Sequence, residues 1–277
     1  MTDTTAYVQW FRQSSPYINA HRGKTFVIMF DGDALVHPNF DTLVQDMALL
    51  NSLGVRLVLV HGARPQIDAV LERLDITSQF HNDLRITDGE ALRAVKAAVG
   101  MVKADIESRL SVGVPGSPMH GARIRVVSGN FVTAKPLGVI NGVDYQHTGE
   151  VRRIEHQAIK SLLDQQNVVL LSCAGYSPSG EMFNLSVEDV AQHAAVSLRA
   201  DKLIAFSDQD GLQNSDGEQV HELTCRQLED MVHSLKGSIR WQADMAMRCV
   251  RQGVPRVHLL SYEIDGALLQ ELFTREG

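Results

Sequence analysis

The sequence predicts an α/β fold, a three-layer αβα sandwich around a mainly parallel central sheet. Three observations carry this expectation. Short apolar runs rich in Val, Ile and Leu recur along the chain, helix-length segments separate most of them, and glycine-containing turns follow several of their ends. Unbroken apolar strands belong to sheets covered on both faces, and crossover helices are what parallel order requires.

Taken in order, Tyr7 to Ala20 is modestly amphipathic and precedes the first core strand, so it reads as a separate helix that packs elsewhere, a neighbouring subunit being one possibility. The expected core strands are Thr25–Phe30, Arg56–Val60, Ile124–Val127, Val168–Leu171, Lys202–Phe206 and Arg256–Leu260. Phe40, Leu43, Val44, Met47 and Leu50 have helical spacing, as do Val187, Val190, Ala191, Ala194 and Leu198, and both stripes should face the sheet. Thr87 or Asp88 is placed to cap a helix running to about Leu110, which Gly113, Pro115, Gly116 and Pro118 then end. Between Arg123 and Arg153 the segments shorten and Gly129, Pro136, Gly138, Gly142 and Gly149 punctuate them. That pattern predicts a hairpin-rich excursion over the sheet, of the kind that forms a lid or pocket wall. No linker divides the chain, and the parts before and after Leu171 read as two lobes of one sheet.

With 277 residues, 44% hydrophobic and 21% charged, the composition is that of a soluble globular protein. A net charge of -7 argues against nucleic-acid or anionic-membrane partners, which call for a clustered basic face. The three cysteines, Cys173, Cys225 and Cys249, have no CxxC spacing, so neither a disulfide framework nor a structural zinc site is expected. The eleven histidines include no H-E-x-x-H, and no metal or cofactor is expected in the chain. No N-terminal apolar region reads as a secretory signal, and no stretch approaches the ~20 apolar residues that span a bilayer. A cytoplasmic protein with a small-molecule role is the expectation.

Three loops follow strand ends: FDGD at Phe30–Asp33, HGARPQ at His61–Gln66 and SCAGYS at Ser172–Ser177. Their glycines, Gly32 and Gly62 among them, either serve only the tight turns or expose backbone N–H groups to an anion. Three such loops at one sheet edge favour a ligand cleft. None matches a P-loop or a dinucleotide fingerprint, and Gly175-Tyr176-Ser177-Pro178-Ser179 departs from the hydrolase elbow at its last position. Asn184 and Glu188 lie four apart at the start of a predicted helix, a spacing that suits holding a substrate amine or carboxylate and equally suits capping the helix and complementing its dipole. Phosphoryl transfer needs fixed positive charge beside the phosphate, and Met29 on the first strand supplies none.

The segments PYINAHRGKTFVIM (16–29), LGVRLVLVHGARPQID (53–68), RITD (85–88), VSGNF (127–131), GVDYQHTGEVRRI (142–154), FNLSVED (183–189) and DGALLQELFTREG (265–277) closely resemble the amino-acid kinase family, and within it the kinase-like domain of bacterial N-acetylglutamate synthases. The resemblance covers nearly the whole chain and implies a carbamate kinase-like fold. Active kinases of the family carry a lysine where Met29 stands, and a second lysine that aligns approximately with Gln242. Their second glycine loop is altered here to Gly62-Ala63-Arg64-Pro65, while the carboxylate that organises the lysines aligns with Glu188. The resemblance thus implies a vestigial substrate and nucleotide cleft at Gly32, Gly62, Arg64, Arg85, Asn184 and Glu188.

In the synthases the kinase-like domain binds L-arginine as an inhibitor, and a following domain transfers the acetyl group from acetyl-CoA to L-glutamate. The implied organisation is an oligomerisation helix region over residues 1–20 and a regulatory, non-phosphorylating domain over 21–277. The acetyltransferase domain, whose cosubstrate is acetyl-CoA, is expected to be absent from this chain, which holds no Q/R-x-x-G-x-G/A turn. The effector site carries over to Tyr17, His258, Glu271 and Gly277. Glu271 suits a guanidinium because the fork geometry permits two charge-assisted hydrogen bonds, whereas His258 and Gly277 also fit a core histidine and a C-cap. Family members form rings with interlaced N-terminal helices, which implies a hexamer. Two competing readings are a functional N-acetylglutamate kinase using ATP, with Arg85 and Asn184 on the substrate and Arg64 replacing the lysines, and a ring-forming scaffold without ligand.

Overall fold

The computed structural model describes residues 4–111, 119–209, 211–213 and 219–274. Its main sheet has six strands, numbered here in chain order: β1 (Thr25–Phe30), β2 (Arg56–His61), β3 (Val126–Ser128), β4 (Val168–Ser172), β5 (Lys202–Ser207) and β6 (Val257–Ser261). Their order is β6-β5-β1-β2-β4-β3, and every pairing is parallel. Each expected apolar run became one of these strands. The third is the most displaced, beginning at Val126 rather than Ile124 and extending to Ser128. β1 and β2 occupy the middle of the sheet, and all but their first residues are buried, which is why their sequences show no polar alternation.

Nine α-helices lie among the described residues: α1 (Thr4–His21), α2 (Phe40–Ser52), α3 (Arg64–Arg73), α4 (Gly89–Leu110), α5 (His156–Asp164), α6 (Val187–Leu198), α7 (Cys225–Val232), α8 (Ser238–Arg251) and α9 (Ala267–Phe273). α6 and α8 pack on each other and on β5, α6 also covering β1, while α2 and α4 pack on each other and reach β2 and β4. The Phe40 ring of α2 meets Phe30 edge-on at 5.4 Å, so Phe30 points toward α2 and Met29, one residue earlier, toward the opposite face. α1 docks against α9, joining the two ends of the described chain.

Asp88 caps α4, its carboxylate accepting from the N–H groups of Glu90 at 3.0 Å and Ala91 at 2.8 Å. The cap of α6 is Ser186, whose hydroxyl accepts from Asp189 N at 3.2 Å. This corrects the helical placement of Asn184, which lies on the short strand Met182–Asn184. The reason is backbone pairing, since Asn184 N donates to His147 O at 2.9 Å and strand geometry therefore persists to that residue. Glu188 does sit in the first turn, where its charge complements the helix dipole.

The hairpin-rich excursion is present. Val132–Pro136 and Gly149–Ile154 join Ala174–Tyr176 and Met182–Asn184 in a second, four-stranded sheet, and Val139–Ile140 pairs with Val143–Asp144 at its tip. A further hairpin, Gln79–His81 with Leu84–Ile86, precedes α4. The three cysteines are free. No helix among the described residues is long and apolar enough to cross a membrane.

Candidate functional site

The loops after β1 and β2 meet at the carboxyl edge of the sheet. Gly62 N donates to Phe30 O at 2.9 Å, and a Cβ added at Gly62 would lie 3.1 Å from Asp31 Cα and 3.2 Å from Gly32 N. Backbone faces backbone there, so a side chain at position 62 would push the loops apart. The space over Gly32 is already filled. Gln66 Nε2 donates to Gly32 O at 2.7 Å, and a Cβ at Gly32 would come within 2.6 Å of Pro65 Cδ. The turn at Gly32 is thus closed by the side chains that open α3.

The charge at this edge is acidic. Burial raises the Asp31 carboxyl to about 6, and the neighbouring charges of Asp33, Glu188 and Asp208 add to the rise. Burial first, then Asp31, Asp208 and Asp33, push the Tyr262 hydroxyl up as well. Met29 is fully buried between Val60 and Ala205 in the strand register, and Gln242 is 1% exposed with its Nε2 donating to Phe206 O at 3.4 Å. Neither supplies a cation. Glu188 accepts from the Ser186 hydroxyl.

Arg64, Arg85 and Asn184 are turned to internal partners. Arg64 is exposed and donates through Nη2 to Asp83 O at 3.1 Å on the turn of the Gln79–Ile86 hairpin. Arg85 is buried, pairs with Asp68 at 2.5 Å, donates to the Ser78 hydroxyl and lies 4.7 Å over the Phe80 ring. Asn184 Nδ2 donates to Thr87 Oγ1 at 3.1 Å, and the Thr87 hydroxyl in turn donates to Thr148 Oγ1 at 2.9 Å, since the single proton of Thr148 goes to a carbonyl. Arg85 and Asn184 therefore converge on one segment, because Thr148 donates to the Arg85 carbonyl at 2.5 Å. Arg64 meets Arg85 at the same hairpin, its guanidinium 6.0 Å from the centroid of the Phe80 ring that Arg85 also covers.

A second polar cluster forms where α1 meets α9. His21, the last residue of α1, bonds through Nε2 to Leu272 O at 2.8 Å and presents its ring to Phe26 and Phe273 at 5.3 and 5.6 Å. Tyr17 lies one helical turn earlier on the same face and is half-buried against the core. His258 Nδ1 reaches Glu271 Oε1 at 2.5 Å, and its Nε2 reaches Lys202 Nζ at 2.9 Å. An ammonium only donates, so Nε2 accepts and Nδ1 carries the proton given to Glu271. His258 is thus a bridge between opposite charges, with its side chain 11% exposed and that of Glu271 22% exposed. Burial, then the charge of Arg256, lowers the Lys202 pKa against the opposing pull of Glu271. Burial likewise lowers that of His21, with Lys202 and His258 contributing. Gly277 lies outside the described residues.

Lys202 and His21 are the members of this cluster that sequence reasoning missed. A signal for Lys202 was present, since it opens the apolar run Leu203–Phe206. The two clusters occupy opposite ends of the same strands. Lys202 begins β5 and Asp208 follows its end, so six residue steps at ~3.3 Å put roughly 20 Å between them.

The profile of the amino acid kinase family matches residues 24–261, from β1 through β6. The chain belongs to this family. Curated relatives named amino-acid acetyltransferase are 54% identical over 98% of the chain in Pseudomonas syringae pv. tomato and 53% identical in Azotobacter vinelandii. The chain spans 63% of the length of those relatives. Among solved structures, N-acetylglutamate synthase from Neisseria gonorrhoeae complexed with coenzyme A and L-arginine superposes with a TM-score of 0.91 at 35% identity, over 98% of this chain and 64% of that one. The same enzyme with coenzyme A and N-acetyl-glutamate gives 0.90 at 35% identity, over 98% of this chain and 62% of that one. Carbamate kinase from Giardia lamblia, at 15% identity and a TM-score of 0.66 over 90% of this chain and 95% of that one, shares the fold of this amino acid kinase family member.

Proposed function

We propose that this chain is the regulatory, non-phosphorylating part of an N-acetylglutamate synthase, the acetyltransferase that converts acetyl-CoA and L-glutamate to N-acetyl-L-glutamate and CoA. In this reading residues 21–277 form the kinase-like domain, residues 1–20 belong to an oligomerisation helix that builds a cytoplasmic ring hexamer, and L-arginine is the feedback effector. The observation that carries it is the Lys202–His258–Glu271 cluster against α1 and α9, set in a chain whose phosphate loop is filled by Pro65 and Gln66.

The cluster has the chemistry an amino acid with a guanidinium needs. Glu271 offers a carboxylate for the guanidinium fork, Lys202 a cation for the α-carboxylate, and Tyr17 a neighbouring hydroxyl. Arginine would take Glu271 from His258, so binding exchanges one internal charge-assisted bond for two intermolecular ones. Because Glu271 sits on α9 and His21 ties α1 to α9, occupancy alters the docking of both helices. Coupling of that kind is typically worth ~1–3 kcal/mol.

Calorimetric titration of the chain with L-arginine tests the reading. Saturable binding is expected, weakened at least tenfold, about 1.4 kcal/mol, by Glu271→Gln. No heat at millimolar arginine sinks it. The kinase reading predicts ATP-dependent phosphorylation of N-acetylglutamate, and turnover above background would replace this proposal.

A further inference from the structure

The short 3-10 turn Ala34–Val36 that follows β1, the start of α2 and the C-terminal half of α4 enclose a cavity of about 450 Å³. Small-molecule sites have volumes of ~300–1,000 Å³. Leu35 and Val36 of the turn and Val102 of α4 give this one an apolar wall. Val36 is 73% exposed, the highest value among the large apolar side chains of the described residues, and an occupant of the cavity would take that surface out of water.

The polar groups of the lining are few and of both signs. Val102, Asp105 and Arg109 are spaced three and four residues apart on α4, so they share one face, and all three line the cavity. Arg109 Nη1 donates to Asp41 Oδ1 in the first turn of α2, and the guanidinium lies 5.3 Å from the centroid of the Phe40 ring. It is held in place with N–H donors to spare, because a guanidinium carries five. Asp105 is exposed and has no hydrogen-bond or ion-pair partner among the described residues. His37 Nδ1 accepts from Asn39 N at 3.3 Å, so its Nε2 carries the proton and is a donor. Gln66 lines the cavity as well, with its Nε2 already given to Gly32 O at 2.7 Å.

We propose that this cavity binds a free α-amino acid with an aliphatic side chain. Its carboxylate would take donors of Arg109 and His37, its ammonium the carboxylate of Asp105, and its side chain the wall of Leu35, Val36 and Val102. The two signs of the lining decide the class. A simple amine would leave the spare donors of Arg109 unmet, a simple carboxylic acid would leave Asp105 unmet, and charge-assisted bonds to both are open only to a zwitterion. Because Gln66 also closes the turn at Gly32, an occupant would hold that turn shut. The inference does not rest on the arginine reading, whose residues belong to β5, β6, α1 and α9.

L-Leucine is a suitable probe, titrated calorimetrically into the whole chain beside 3-methylbutylamine, which lacks the carboxylate, and 4-methylpentanoate, which lacks the ammonium. Saturable heat is expected with leucine, at least tenfold weaker binding with each analogue, and a shift of the Gln66 side-chain amide resonance on adding leucine. Asp105→Asn, an exposed substitution that breaks no internal contact, should weaken leucine at least tenfold, whereas Glu90→Gln near the start of the same helix should leave its binding unchanged. No heat at millimolar leucine overturns the proposal. So does equal binding of either analogue, which would mean that only one charge is read, and so does undiminished binding in Asp105→Asn. Leucine binding that leaves the Gln66 resonance unmoved would put the ligand elsewhere and overturn it as well.

Discussion

Met29 and Gln242, the positions that the sequence resemblance aligns with kinase lysines, are both buried to about 1% exposure or less. A charge introduced at Met29 alone would enter the packed face between Val60 and Ala205, with no loop left open to receive a phosphate. Met29→Lys is therefore expected to cost at least about 2 kcal/mol in urea unfolding, the usual penalty for a poorly paired polar group in a core, and to give no ATP-dependent phosphorylation. Phosphorylation above background in that variant would show the cradle still functional. Gln66 explains why residue identity alone understates the change. Its amide closes over Gly32, a contact between residues 34 positions apart that no local pattern announces.

The elements were legible in proportion to how locally they are determined. All six core strands could be read from their apolar runs, which in the nearly fully buried β1, β2, β4 and β5 reflect cover on both faces and which persist in the only partly buried edge strands β3 and β6. α4 was bounded by Asp88, and the cap makes two bonds to the first turn. Asp88→Ala should lower stability by about 1 kcal/mol, measured as a shift in the urea midpoint with an unchanged slope. Asn184 was misplaced for a tertiary reason, since the strand it ends is paired with a segment 37 residues earlier, at His147. The polar cluster at α1 and α9 was half legible. Tyr17, His258 and Glu271 came from segment resemblance, but Lys202 and His21 become visible only once β5, β6, α1 and α9 are brought together.

For the whole molecule, two half-buried carboxylates set the pH response. Burial raises Asp46, on α2, to about 7, with Asp265 before α9 adding its charge, and Asp31 is raised to about 6. Both would titrate near 4 in the unfolded chain. Between about pH 4 and 7 the native chain thus holds protons that the unfolded chain has released, so this part of the stability is complete below pH 4 and is lost as pH rises through 7. Asp189 acts in the opposite sense. Its hydrogen bonds from His193 and Val151 N outweigh burial and lower its pKa, so its contribution disappears only as pH falls below the unfolded value. The urea midpoint is expected to fall from pH 5 to pH 8, and Asp46→Asn should flatten that slope; an unchanged slope in the variant would remove Asp46 from the account. The placement of the two clusters at opposite ends of β5 has a consequence for anyone reading ligand titrations. A strand paired on both sides within a close-packed sheet is a stiff spacer, and roughly 20 Å is beyond the Debye length at physiological salt, ~8 Å. Occupants of the two ends therefore do not feel each other's charge through solvent, so their binding energies add unless α1 and α9 carry the message around the outside of the sheet.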